Sequence, residues 1–144
     1  MDAIELAQRY VDALQGMNIA GKIDESNEVI FKVPGLGTCF IDLEAEDDPE
    51  FMRIIFPNFH LGVDQGIVLR ALNSANIENK AVKLWALEVE GGFSVSASIE
   101  FFLADLNEAP EAALLRSIIE RCIAAIRVGA ESFVQEINLL GASG

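Results

Sequence analysis

Residues 81–104, AVKLWALEVEGGFSVSASIEFFLA, decide the fold. The second half alternates: Phe93, Val95, Ala97, Ile99 and Phe101 take one side, Ser94, Ser96, Ser98 and Glu100 the other. A period of two with one apolar side predicts a strand of an antiparallel sheet, buried on one face and wet on the other. The first half predicts a second strand, and Glu90-Gly91-Gly92 between them is a hairpin signal. In that first half Trp85 shares a face with Lys83 and Leu87, opposite Val82, Leu84 and Ala86. Both of its faces are therefore partly apolar. Trp85 is either covered by a helix of the same chain or set in an interface between chains, where tryptophan is enriched.

Upstream, Asp64 reads as the cap of a helix over QGIVLRALNSAN, with Ile67, Val68, Ala71, Leu72 and Ala75 along one side. Three strands are expected before it. EVIFKV is β-branched and aromatic, and Pro34-Gly35 with Gly37 makes a tight connection. In TCFIDLEA, Cys39, Ile41 and Leu43 oppose Thr38, Asp42 and Glu44, while FMRIIFPNF ends at Pro57-Asn58. The chain opens with a helical pattern through Ile4, Leu6, Ala7, Tyr10, Val11 and Leu14, which Asp2 can cap. GKIDESNE after it reads as polar turn residues. A long final helix is expected from about Pro110 to about Leu140, its stripe running from Leu115 through Ile119, Cys122, Ile126 and Phe133 to Ile137. The order is α-β-β-β-α-β-β-α, an α+β fold with a five-stranded antiparallel sheet packed by helices. A chain of 144 residues fits a single domain over 1–144.

Charge narrows the function classes. Ten Lys and Arg stand against 23 Asp and Glu, a net charge of −13, which opposes nucleic acid and anionic membrane surfaces. No apolar run is long enough to span a bilayer, and Asp2 and Glu5 sit where a secretory signal would be basic. The expected location is the cytoplasm. An apolar fraction of 51% would suit a protein that buries a second surface against a partner.

Candidate chemistry is thin, and the expectation is that this is no enzyme and takes no cofactor. His60 is the one histidine, expected in a connecting loop with no nucleophile pattern near it. The two cysteines, Cys39 and Cys122, have no metal-ligand spacing and read as buried thiols. VPGLGTC is followed by a strand and not a helix, so it is a hairpin rather than a phosphate cradle. DLEAEDDPE, residues 42–50, carries six carboxylates. It lacks the glycine and register of a calcium loop, and reads as a solvated strand face running into a turn. A recognition surface or a weak cation site are its other readings.

Element order and the stretch VLRALNSANIENKAVKLWALEVEGGFSVSASIEFFLAD, continuing into a long closing helix, resemble the YbjN-type proteins, which share their fold with type III secretion chaperones. The resemblance implies a small acidic bacterial protein, non-enzymatic and dimeric, that binds a client or regulatory partner protein. It also implies a dimer contact on the second helix and neighbouring strand. By element, that places Ile67, Leu69, Arg70 and Asn73 in the contact, with Trp85 and Leu87 alongside. A regulatory or stress-linked protein without chaperone activity is the alternative. A protein binding a cation or small ligand through the acidic run is the third.

Overall fold

The computed structural model describes residues 3–44, 51–102 and 110–143. In chain order the elements are α1 (Ala3–Gln15), β1 (Gly21–Ile23), β2 (Val29–Val33), β3 (Gly37–Glu44), β4 (Phe51–Gly62), α2 (Gln65–Glu78), β5 (Lys83–Val89), β6 (Gly92–Phe102) and α3 (Ala112–Ser143). The strands are joined in the order β1-β2-β3-β4-β6-β5, a six-stranded antiparallel sheet, so the protein is α+β. The expected five strands are corrected to six. The chain divides into two compact units, Met1–Ile55 with Glu100–Cys122, and Phe56–Ile99 with Ile123–Gly144.

In the first unit the added strand is β1. Its partners are Gly21↔Phe31, Lys22↔Ile30 and Ile23↔Val29. Three residues are too few to show alternation, so only the turn after them was visible in the sequence. That turn is built by Asp24, whose carboxylate accepts the N–H groups of Ser26 (2.8 Å) and Glu28 (2.9 Å), while Asn27 takes φ 62°. Val29, Phe31, Val33, Cys39, Ile41, Met52 and Ile54 are buried, as are Leu6, Ala7, Tyr10 and Leu14 of α1 and Leu115 and Ile119 of α3. Ile4, expected in the buried stripe of α1, is 60% exposed. The cap position Asp2 lies outside the described residues.

In the second unit β4 does not end at Pro57-Asn58. It continues to Gly62, and His60 lies in the strand and not in a loop. Asn58 takes φ 50° and donates its N–H to Ser96 Oγ (2.9 Å), outside the backbone ladder, as at a bulge. Proline and a left-handed Asn thus mark an irregularity inside the strand, where the sequence signal read as its end. Beyond it Phe59 and His60 both meet the buried Phe133 edge-on, at 5.9 and 5.3 Å between ring centres.

The serine side of β6 is a second correction. Ser94, Ser96 and Ser98 are 9%, 2% and 0% exposed, not wet. Each has a partner: Ser94 Oγ donates to Asn58 Oδ1 (2.7 Å), Ser96 accepts from Asn58 N–H, and Ser98 Oγ accepts from Trp85 Nε1 (3.0 Å). A short hydroxyl can be buried in a sheet when its hydrogen bond is made locally.

Candidate functional site

Sheet order leaves β5 at an edge, and the edge is treated unequally along its length. The β5–β6 hairpin closes on the pair Val89↔Gly92, with Gly91 at φ 89° in the turn. From that pair the ladder alternates: Lys83, Trp85, Leu87 and Val89 bond inward to β6, and Leu84, Ala86 and Glu88 turn their N–H and C=O outward. Both outward groups of Leu84 are taken by the side chain of Asn76. Its Nδ2 donates to the carbonyl of Leu84 (3.0 Å), and its Oδ1 accepts the N–H (2.9 Å). The amide stands in for one residue of a neighbouring strand, which is a way to blunt an edge. Ala86 and Glu88 have no such cover among the described residues.

Helix α2 flanks this edge. Asp64 caps it, its carboxylate accepting the N–H of Ile67 (3.1 Å), and Val68, Ala71, Leu72 and Ala75 are buried. A Cβ on Gly62 would collide with Val68, and one on Gly92 with the carbonyl of Gly62, so glycines permit the close approach of helix and strand ends there. These contacts put Val68 near the Val89 end of β5, whereas Asn76 sits at Leu84. The helix therefore runs antiparallel to the strand. Leu69, two turns before Asn76 on nearly the same helix line, flanks the uncovered half, with Asn73 just outside it. Leu69 is 53% exposed.

On the other face of β5 the neighbours Lys83, Leu87 and Val89 are exposed, so no helix of this unit covers Trp85 there. The indole is half-buried, lying over the serine side of β6 and held by Ser98. The six sequence candidates thus separate. Trp85 and Leu87 line one side of the open half-edge, while Leu69 and Asn73 line the other. Arg70 lies on the exposed outer side of α2, and Ile67 is half-buried on the flank opposite Asn76. Asn76 and Val89 were missed. Val89 was findable, because it shares parity with Trp85 and Leu87.

Elsewhere the chemistry is quiet. Asp42, the first carboxylate of the acidic stretch, is not simply solvated: it pairs with Arg53 Nη2 at 2.8 Å, directly across the β3–β4 ladder, and Arg53 Nη1 reaches Glu100 at 3.8 Å. Residues 45–50, the turn expected to hold the other four carboxylates beyond Glu44, lie outside the described residues. Among the described residues no group of three His, Cys, Asp or Glu could hold a metal ion. Burial pushes the Cys122 thiol up to about 11, the reverse of an activated nucleophile. Burial likewise raises the Tyr10 phenol. A groove beside α1 is lined by Val11, Gln15, Asn18, Ile19, Ala20 and Gly21, none of them titratable. No helix among the described residues is long and apolar enough to cross a membrane.

The fold has a solved counterpart. The crystal structure of YbjN from E. coli, described as a candidate transcription regulator, superposes with a TM-score of 0.57 over 87% of this chain and 89% of that one. The fold is YbjN-like. Sequence identity is 13%, so the likeness is one of architecture. No protein-family profile matches the chain, and no curated relative does. The YbjN-like frame accounts for the element order, and the β5 edge is read from this chain's own residues.

Proposed function

We propose that this protein is a non-enzymatic, cytoplasmic protein-binding module that works as a homodimer, after the manner of a type III secretion chaperone. One observation carries the reading: half of an edge strand is left uncovered, with exposed or half-exposed Trp85, Leu87 and Val89 on one side and Leu69 on the other. Uncovered edges and adjoining apolar side chains are what strand addition and side-chain burial use to hold an extended polypeptide. Client side chains bury on the Trp85–Leu87–Val89 face, and the net charge of −13 keeps the complex dispersed.

The test is co-purification of the tagged full chain under mild cross-linking, with partners identified by mass spectrometry. A discrete partner recovered with the native chain, and reduced at least about tenfold by Leu87→Glu, supports the reading. Recovery of the same proteins with Leu87→Glu would sink it, as would recovery of none.

A second reading, a regulatory protein of the same fold without chaperone activity, draws on the description of YbjN as a candidate transcription regulator. Acidity directs such a role toward a protein partner rather than DNA. Limited proteolysis of the recovered partner separates the two. A client is held extended and is cleaved readily once released, whereas a regulatory partner is folded both free and bound.

A further inference from the structure

We infer that the Asn76 amide is an autoinhibitory latch: the chain covers its own edge at Leu84 and holds that cover closed against a strained turn. The inference rests on the protein-binding reading and concerns how much of the edge is offered.

The latch closes a short loop. Asn76 takes both outward groups of Leu84, so the segment 76–84 is tied at its two ends. Within it the chain reverses from α2 into β5 through one tight turn. Val82 donates its N–H to the carbonyl of Lys80 (2.8 Å) around Ala81, which takes φ 70°. A bond that spans a single residue at positive φ is a γ-turn of the rare, strained hand. Glycine would adopt this backbone without the penalty, and alanine does not.

Such strain persists where the surroundings over-determine it, and here three ties do so. The first is the latch. The second is Asn79, whose backbone N–H (3.1 Å) and Nδ2 (2.7 Å) both donate to the carbonyl of Ala75. The third is Val82, buried against α3, where a Cβ on Gly129 would lie 2.7 Å from its Cγ1. The ties are unequal. Val82 is pinned by close packing, and the Asn79 bonds lie within one helical turn and move with it. Asn76 is exposed, so water competes for both of its bonds. Ile77 beside it is 75% exposed, and Glu78 meets Ser132 at a long 3.4 Å.

The last turn of α2 is therefore the part left to swing. Return of Ala81 to negative φ offsets part of the cost of opening. With the latch open, the outward N–H and C=O of Leu84 join those of Ala86 and Glu88. An extended polypeptide added at Ala86 and Glu88 thus gains a further residue of edge by displacing one side chain.

Amide hydrogen exchange on the purified full chain tests the latch without any partner. The N–H of Leu84 bonds to Asn76 and that of Trp85 bonds inward to β6, so the first reports the latch and the second the hairpin. Leu84 should be at least about tenfold less protected than Trp85. Ala81→Gly should raise the protection of Leu84 about fivefold more than that of Trp85, because the strain that favours opening is gone. Asn76→Ala should bring Leu84 down to the protection of Ala86 and leave Trp85 within about twofold. Equal protection of Leu84 and Trp85 in the native chain would overturn the inference, since the latch would then open only with the hairpin. So would an Ala81→Gly chain in which both amides respond alike. In the co-purification described above, Asn76→Ala should raise recovery of the partner about tenfold, and unchanged recovery would overturn the autoinhibitory role. Recovery of no partner with either chain would sink the protein-binding reading instead, and the exchange measurement would still decide the latch.

Discussion

Two polar clusters sit on strands of this protein, and they are stabilised by opposite means. In the first unit Asp42, Arg53 and Glu100 form a charged set that stays in touch with water, the Asp42 and Arg53 side chains being 15% and 32% exposed. In the second unit Asn58, Ser94, Ser96, Ser98 and Trp85 form a neutral set in which the serines are almost fully buried. A charge loses too much hydration to be buried without an ideal partner, whereas a hydroxyl needs one hydrogen bond. Arg53 illustrates the limit, since its Nε is buried with no partner among the described residues. The neutral cluster should therefore be sensitive to the loss of single hydrogen bonds, and the charged one to the loss of charge balance.

The largest effect is expected at Asn58. Asn58→Ala takes away the acceptor of Ser94 and places a Cβ-bearing residue without a polar side chain at φ 50°. A loss of about 2 to 3 kcal/mol in urea denaturation is expected, from an orphaned hydroxyl plus backbone strain. Asn58→Gly should recover the strain part and not the hydrogen-bond part. Equal losses in the two variants would mean that the left-handed backbone costs nothing here.

Arg53→Met comes next. It leaves Asp42 without its partner and close to Glu100, and about 1 to 2 kcal/mol should be lost. Adding Asp42→Asn should restore part of this, because the carboxylate that needed a partner is gone. Were the double variant as unstable as the single, the contribution would come from packing of the arginine stem rather than from charge. Below this lies Trp85→Phe, which keeps an aromatic ring over β6 and deletes the N–H that Ser98 accepts. About 1 kcal/mol is expected, read on the monomer at low concentration so that any interface is excluded.

What the sequence disclosed follows the same physics. The β5–β6 hairpin and the Asp64 cap were legible because each is a local device, a glycine turn or a side chain reaching three residues ahead. β1 was not legible, since three residues carry no period. The continuation of β4 was hidden by Pro57 and Asn58, which signal a turn equally well inside a strand and at its end. Burial of Ser94, Ser96 and Ser98 was illegible for a different reason. Alternation with polar residues reads as a wet face, and nothing local says that Trp85 and Asn58 will supply bonds from neighbouring strands. At the candidate site Leu69, Asn73, Trp85 and Leu87 were named by element. The clamp that decides which part of the edge stays open, Asn76, looked like the end of a helix and carries no periodic signal.

The smallest expected effect gives the sharpest test of the charged cluster. Glu28 is raised above its ordinary value of 4.5, first by burial, then by Asp42 and Asp24, with Arg53 opposing. A carboxyl whose folded value exceeds its unfolded one holds its proton more tightly in the folded state. Stability is then lost as pH rises from 4.5 through the raised value, and the loss persists above it. Glu28→Gln removes that term. At pH 7 it should be as stable as the native chain or slightly more so, by no more than about 0.5 kcal/mol, and the advantage should fade below pH 4.5. Because Arg53 opposes the rise, the difference at neutral pH should widen in an Arg53→Met background. Denaturation midpoints of the four chains at pH 4 and pH 7 decide it: a difference that does not respond to Arg53 would show that Glu28 stands outside the cluster, its rise owing to burial and Asp24.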